Sequence, residues 1–128
     1  MNEKVTELFK KQTWTLGTFD TEPNAVPVNF KAVTPDGKFL VGDVFLETTL
    51  KNVLKNGKIA VSAYDPKTME GYQIKGHAEY ITQGEIVDTF KKLVSDMFKG
   101  KLTAKGALVI TPEKIIVTSP GPENKKLL

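Results

Sequence analysis

Residues 26 to 45 read VPVNFKAVTPDGKFLVGDVF, and this stretch predicts two antiparallel strands joined by a tight turn. Apolar side chains occupy every second position from 26 to 32, which is the period of a half-buried strand. Pro27 cannot donate to a ladder, so this strand is expected at a sheet edge or facing a ligand. Residues 34 to 37, Thr-Pro-Asp-Gly, suit a type I turn, and residues 38 to 45 then return as the partner strand.

Outward from this hairpin, the periodicity of the apolar residues predicts the other elements. Helices are expected at residues 2 to 11, at residues 46 to 57 and between Gly84 and Gly100, and further strands at residues 13 to 19, 58 to 64, 71 to 81 and 106 to 119. Thr48 or Thr49 is expected to cap the second helix, and the Asn-Gly pair at 56 and 57 to end it. Tight turns favour an antiparallel sheet, and about six strands of this length suit a small barrel with helices at its ends. The predicted class is therefore mainly β or α+β.

The length and composition limit the possible classes of protein. The chain has 128 residues, which predicts one domain over residues 1 to 128. It contains no cysteine, which excludes disulfides, thiolate zinc sites, iron–sulfur clusters and cysteine nucleophiles. The apolar runs are too short to cross a bilayer, and the polar N-terminus lacks the apolar stretch of a secretory signal. We therefore expect a cytoplasmic protein with no membrane partner.

The positive charge does not by itself indicate nucleic acid. The formal net charge is +3, and all 18 basic residues are lysines spread along the chain. Arginine is the residue that reads guanine edges and grips phosphate with two hydrogen bonds. A barrel for single-stranded nucleic acid would also need aromatic and basic residues interleaved on one face. The alternation instead places Phe30, Tyr72 and Tyr80 on apolar faces, so no nucleic-acid partner is expected.

One candidate site lies where the predicted strand ending at Phe45 meets the following helix. Residues 47 to 52, ETTLKN, place two hydroxyl groups and the Lys51 ammonium in the first turn of that helix. Free backbone N–H groups, the helix dipole, hydroxyls and an ammonium together suit a phosphate group. The alternative is ordinary capping by threonine, which composition alone favours.

Two other features suit a ligand, and each has a structural alternative. The polar face of the strand at 26 to 32 carries Pro27, Asn29 and Lys31, which suit a heteroaromatic ring or its anionic chain; the alternative is a solvated face. Gly76 interrupts the strand at 71 to 81. A glycine there marks a bulge or the close approach of a ligand or another chain.

No catalytic residue and no metal ligand is assigned. His77 is the only histidine, and it lies on the polar face of its predicted strand. A catalytic triad or a histidine metal site would need partners that the sequence does not supply. The glutamates are scattered, and no paired carboxylates or glycine-rich phosphate loop occur.

Four segments, taken in order, resemble the flavin-binding split-barrel family, which includes pyridoxamine phosphate oxidase and the small FMN-binding proteins. These segments are residues 27 to 30, 36 to 42, 48 to 61 and 74 to 79. The resemblance covers about residues 13 to 118 and rests on the ordered set rather than on one motif. It implies a six-stranded antiparallel split β-barrel of Greek-key topology with flanking helices.

The resemblance also implies a homodimer with FMN at the subunit interface. The residues implied to bind FMN are Val28, Asn29 and Phe30 along the ring, Asp43, Val44 and Phe45 beside it, Thr48, Thr49, Lys51 and Asn52 at the phosphate, and Tyr72, Lys75 and Gly76 of the partner subunit. Oxidases of the family present arginines to the phosphate and to the substrate. This chain has none, so Lys31, Lys51 or Lys75 would replace them.

The function implied by the resemblance is reduction of a small-molecule substrate, or electron transfer to a redox partner, by FMN. The alternative is a non-catalytic flavin carrier or sensor. Oxidation of a B6 vitamer is not expected, because the substrate-binding signature of the true oxidases is missing. Independently, the outward aliphatic residues Leu40, Val44 and Ile116 would form an exposed patch on a monomer, which also predicts a dimer.

Overall fold

The computed structural model describes residues 2 to 128, and within this range the chain forms seven strands and three helices. The helices are α1 Glu3–Lys11, α2 Glu47–Asn56 and α3 Glu85–Met97; the strands are β1 Trp14–Phe19, β2 Pro23–Val28, β3 Lys31–Val33, β4 Phe39–Asp43, β5 Lys58–Tyr64, β6 Gly71–Ile81 and β7 Gly106–Val117. The strands form one antiparallel sheet in the order β2-β1-β5-β6-β7-β4-β3. The predicted antiparallel split barrel with flanking helices is confirmed.

The sheet has one strand more than expected because the strand predicted at 26 to 32 divides in two. β2 pairs with β1 at one end of the sheet order, whereas β3 pairs with β4 at the other end. Asn29 and Phe30 therefore carry the chain across the seam between the two edges of the curled sheet. The amide of Gly42 donates to the Phe30 carbonyl at 2.8 Å, which ties this crossing to β4. The edge position predicted from Pro27 is confirmed.

The turn predicted at residues 34 to 37 and the end predicted for the second helix are both confirmed, and each contains a glycine with positive φ. Gly37 has φ of 85°, and its amide donates to the Thr34 carbonyl at 3.0 Å. Gly57 follows α2 with φ of 70°, and its amide donates to the Val53 carbonyl at 2.8 Å. Both glycines adopt the left-handed conformation that other residues reach only with strain.

The main core lies between the inner face of the sheet and the helices α1 and α2. Phe9, Trp14 and Phe39 are fully buried, with ring centroids 5.0 to 5.6 Å apart. The indole N–H of Trp14 donates to the Phe9 carbonyl at 2.6 Å, so the polar atom of the largest core side chain is satisfied. The alternation predicted for β6 is confirmed, since Ile74 and Ala78 are buried on this face.

A second, smaller core lies under α3 and corrects one expectation. Val87, Phe90 and Val94 of this helix cover Leu40 and Val44, which are 7% and 6% exposed. These two aliphatic residues therefore form no exposed patch, because α3 of the same chain packs over them, and Ile116 is only partly exposed. The argument for a dimer from this patch was wrong.

No helix among residues 2 to 128 is long and apolar enough to span a bilayer. The cytoplasmic location stays a prediction.

Candidate functional site

A cleft with a volume of about 230 Å³ opens at the seam of the barrel. Its walls are β2 with the β2–β3 crossing on one side and the end of β4 with the β4–α2 connection on the other. The cleft is lined by Val26, Pro27, Val28, Asn29, Phe30, Gly42, Val44, Phe45 and Leu46. Five of the residues assigned to the flavin ring or its edge therefore meet here, although they come from segments at opposite ends of the sheet order.

Among the side chains that line the cleft, only that of Asn29 is polar. Phe45 forms its lip and is 75% exposed, so a large aromatic ring is left open to solvent there. The side-chain oxygen of Asn29 accepts from the Thr13 hydroxyl at 2.8 Å. The side-chain nitrogen of Asn29 donates to no partner within the described part of the chain. A planar apolar ring with a carbonyl group at its edge suits this arrangement.

Asp43 lies behind the cleft rather than in it. Its side chain is buried, and residue 43 is 2% exposed. One carboxylate oxygen accepts from the Leu46 amide at 3.0 Å, and the other accepts from the Tyr80 hydroxyl at 2.6 Å. Burial, followed by the hydrogen bond and charge of Asp43, raises the pKa of Tyr80 well above its ordinary value of 10.

The start of α2 differs from the predicted capped helix. The N-cap residue is Leu46, and no side chain caps it. Thr48 and Thr49 consequently lie at the second and third helical positions, two and three residues after the N-cap. Thr48 and Lys51 are exposed beside the helix N-terminus. The expectation that a threonine caps this helix was wrong.

Thr49 and Asn52 turn inward and join α2 to the sheet. The Asn24 amide donates to the Thr49 hydroxyl at 3.0 Å, and the Asn52 amide donates to the Thr18 hydroxyl at 3.0 Å. Thr49 and Asn52 are 1% and 5% exposed. Only half of the four residues assigned to the phosphate therefore face solvent in this chain.

Lys31 is directed away from the cleft. Its ammonium donates to the carbonyls of Phe9 and Lys10 at 3.3 and 3.4 Å, at the C-terminal end of α1. The same nitrogen lies 5.4 Å from the centroid of the Trp14 ring. Partial burial lowers the pKa of Lys31 from its ordinary value. A cation at a helix C-terminus is favoured by the helix dipole, and in this structure the Lys31 ammonium makes that contact.

A larger groove, of about 1010 Å³, lies on the face of the sheet opposite the main core. The small residues Gly17, Ala25 and Ala60 form its floor, and lysines lie at its sides. The lining residues are Gly17, Thr18, Phe19, Pro23, Asn24, Ala25, Lys58, Ile59, Ala60, Lys75, Gly76, Glu113 and Lys114. We call this the outer groove. Lys75 and Gly76 thus lie apart from the cleft, and Tyr72 is buried in the main core. Burial, and to a lesser degree Glu70, raises the pKa of Tyr72.

The packing of β7 against β6 explains why residue 76 is a glycine. The strand register between β6 and β7 shifts between Lys75 and Gly76. A Cβ atom at Gly76 would approach the Thr111 carbonyl oxygen, with the Thr111 carbonyl carbon at 3.0 Å. Of the two alternatives, a bulge or a close ligand, the bulge is present in this chain.

Sequence reasoning missed three residues of the site. Leu46 and Gly42 line the cleft, and Tyr80 holds Asp43 from behind. Position 42 has no room for a side chain, because an added Cβ would lie 2.7 Å from the Phe90 ring of α3. The alternation in β6 indicated that Tyr80 points inward, but it carried no sign of the partner. No group of three or more His, Cys, Asp or Glu side chains suited to a metal occurs in residues 2 to 128.

The curled antiparallel sheet with a cleft at its seam defines a split-barrel protein. The sequence signature of the family described as pyridoxamine 5'-phosphate oxidase matches residues 1–119, and the chain belongs to this family. The resemblance stated from the four ordered segments is thereby confirmed.

Individual proteins are similar to this chain in sequence or in fold. An uncharacterized protein of Methanocaldococcus jannaschii is 39% identical over 92 residues, which are 72% of this chain and 60% of that protein. The match thus spans less than two thirds of the relative's length. The crystal structure of HupZ from Group A Streptococcus superposes with a TM-score of 0.81 and 25% identity, over 94% of this chain and 96% of HupZ. An FMN-binding protein from Syntrophomonas wolfei subsp. wolfei shares the fold with a TM-score of 0.79 and 21% identity, over 93% and 86%.

Proposed function

We propose that this protein binds FMN, with the isoalloxazine ring in the cleft, and that it acts as a small-substrate reductase or electron-transfer protein. The observation that carries the proposal is the meeting of Val28, Asn29 and Phe30 with Val44 and Phe45 around one cleft. Family membership and the FMN-binding protein of the same fold support the choice of a flavin.

The chemical character of the cleft fits the ring. Apolar walls favour a planar aromatic group through burial of its faces. The Asn29 side-chain nitrogen is available to donate to a ring carbonyl, and Phe45 is positioned at the lip to pack on the ring or to shield it. No ionisable side chain among the described residues lines the cleft. When bound, FMN would supply the electron or hydride transfer, and the chain would orient the ring and exclude water.

The N-terminus of α2 fits the phosphate, with lysine in place of arginine. The helix has ten residues; Thr48 lies in its first turn and Lys51 at the start of the second, and both are exposed. Helix N-termini favour anions, although Glu47 in the same turn opposes them. We expect Lys51 to supply the positive charge in this chain, since Lys31 is engaged by α1.

A homodimer is part of the proposal, because one chain leaves the site incomplete. The cleft holds about 230 Å³, whereas pockets for ligands of this class are roughly 300 to 1,000 Å³. The outer groove offers an apolar floor with Phe19 47% exposed beside it, which suits a second copy of the chain. In such a dimer Lys75 and Gly76 of the partner subunit would close the site from the other side.

The alternative function is a flavin carrier or sensor without turnover. The absence of any acid or base lining the cleft in residues 2 to 128 is compatible with both functions, because the chemistry belongs to the flavin. Anaerobic mixing with NADH or NADPH, followed by a small acceptor, distinguishes them. Repeated reduction and reoxidation supports a reductase, and flavin that stays oxidised supports a carrier.

Titration of the purified protein with FMN, riboflavin and a deazaflavin tests the ligand. We expect quenched flavin fluorescence, about one FMN per chain, and FMN affinity at least about tenfold above that of riboflavin because only FMN meets the α2 N-terminus. Lys51→Ala should weaken FMN about tenfold and leave riboflavin unchanged. The control is Lys67→Ala, an exposed lysine in the turn before β6.

Three results would contradict parts of this proposal. Equal affinity for FMN and riboflavin would remove the phosphate from the α2 N-terminus. Preference for the deazaflavin would change the cofactor, and absence of binding to every flavin would overturn the function.

A further inference from the structure

Asp43 is the last residue of β4, and its carboxylate joins the end of this strand to the wall of the cleft. Its Oδ1 accepts from the Leu46 amide at 3.0 Å, and its backbone carbonyl accepts from the Lys105 amide at 2.8 Å. Between these anchors, residues 44 to 46 form one side of the cleft. The position of Val44 and Phe45 therefore depends on how firmly the carboxylate is held.

A single phenol holds this carboxylate from behind. The Tyr80 hydroxyl of β6 donates to Asp43 Oδ2 at 2.6 Å, and Asp43 forms no ion pair within residues 2 to 128. Space for the phenol is kept by Gly106, where an added Cβ would lie 2.5 Å from the Tyr80 oxygen. A buried carboxylate oxygen that loses its donor is left unsatisfied, so the carboxylate is no longer held in one orientation.

We propose that Tyr80 is a positioning residue for the flavin cleft, acting through Asp43 on the wall formed by residues 44 to 46. The inference rests on the proposed binding of FMN in this cleft. Tyr80 does not line the cleft itself. The Tyr80 hydroxyl fixes the orientation of the Asp43 carboxylate, and this carboxylate fixes the Leu46 amide. Residues 44 to 46, which connect β4 to α2, are thereby held in the conformation that would contact the flavin ring.

A tyrosine elsewhere in the same strand provides a matched control. Tyr72 is also on the inner face of β6 and is 6% exposed. Its hydroxyl makes no side-chain hydrogen bond in the part of the chain that the structure describes, and it lies away from the cleft. Replacing each tyrosine by phenylalanine removes the same atom from a buried position, Tyr72, and from a partly buried position, Tyr80, and only Tyr80 contacts Asp43.

The experiment compares Tyr80→Phe and Tyr72→Phe by two measurements. In the apoprotein, amide hydrogen exchange at Leu46 should become about tenfold faster in Tyr80→Phe, because the hydrogen bond from this amide loses its fixed acceptor. In FMN titrations the same variant should bind about tenfold more weakly and shift the visible spectrum of the bound flavin. Tyr72→Phe should leave the exchange at Leu46 unchanged, even if its melting temperature falls equally.

Each outcome decides one of the two proposals. If wild-type protein binds no FMN, the proposed function fails. Faster amide exchange at Leu46 in Tyr80→Phe would still show that Tyr80 fixes the connection between β4 and α2. If FMN binds and Tyr80→Phe retains both wild-type affinity and Leu46 protection, the positioning role is overturned. Should Tyr80→Phe not fold, the same substitution is made in the Asp43→Leu background, which leaves no unsatisfied carboxylate. No further change in FMN affinity is expected there, because Tyr80 acts through Asp43, and a further loss of affinity would overturn the positioning role.

Discussion

Gly76 shows how one position can suit a ligand by sequence and serve the backbone in the structure. The glycine lies at the register shift of β6, where β7 passes so close that no Cβ fits. It also lines the outer groove. The steric demand of β7 acts whether or not a ligand or a partner chain is present, so it accounts for the glycine by itself.

Replacement of Gly76 by valine should therefore destabilise the apoprotein. We expect Gly76→Val to lower the free energy of unfolding by about 3 kcal/mol, because the branched side chain would force the Thr111 backbone away. Urea denaturation of the apoprotein measures this. The control is His77→Val, which places the same side chain on the exposed face of the same strand and breaks only an exposed pair with Glu113. Unchanged stability with lost FMN affinity would instead assign Gly76 to a ligand contact.

The Lys31 side chain attaches helix α1 to the barrel, whereas the sequence analysis offered it as a ligand-binding residue. Lys31 in β3 donates to the last carbonyls of α1 and lies over Trp14, whose indole N–H also donates to α1. These contacts join the N-terminal helix to the strand that follows the seam. The ammonium therefore contributes to the docking of an element rather than to the cleft.

Removal of the Lys31 charge should weaken the docking of α1 and leave FMN affinity unchanged. We expect Lys31→Met to lower the free energy of unfolding by about 1 to 2 kcal/mol, through loss of the carbonyl hydrogen bonds and the cation–π contact. FMN affinity should stay unchanged. Denaturation and FMN titration measure the two effects, with the exposed Lys10→Met as control. Weaker FMN binding without a loss of stability would place the Lys31 ammonium at the phosphate.

The whole molecule leaves two open surfaces along β2, the cleft and the outer groove. Residues 26 to 28 contribute to the first, and residues 23 to 25 to the second. A second copy of the chain on the outer groove would therefore lie next to the cleft. The same contact would cover the apolar floor and supply a further wall for the proposed flavin site.

A charge in the floor of the outer groove should separate the dimer. We expect wild-type protein to sediment as a dimer of the 14.1 kDa chain and Ala60→Asp to sediment as a monomer. An unpaired carboxylate buried between subunits should raise the dimer dissociation constant at least about a hundredfold. FMN affinity should fall with it. Thr68→Asp, in an exposed turn, is the control. A wild-type monomer at micromolar concentration would contradict the dimer and the shared site.

The elements of this fold were predictable because their signals are local. The alternation in β6, the Thr-Pro-Asp-Gly turn with Gly37 at positive φ, and the Gly57 end of α2 each depend on residues within one turn or one strand. The ordered resemblance named Val28, Phe30 and Phe45, and these residues do line one cleft; their contact with a flavin ring stays a prediction. In these cases side-chain spacing and backbone conformation carry the information.

The sequence by itself determined which segments become strands and helices, and that the family is one of split barrels. Only the tertiary structure decided where the strand at 26 to 32 divides, which way Lys31 and Thr49 point, and that Tyr80 reaches Asp43. An alternating strand has the same pattern on either edge of a sheet, and a lysine or tyrosine has several polar groups within reach once the chain is folded. The choice among them depends on the packing of distant segments, whose free energy no local pattern contains.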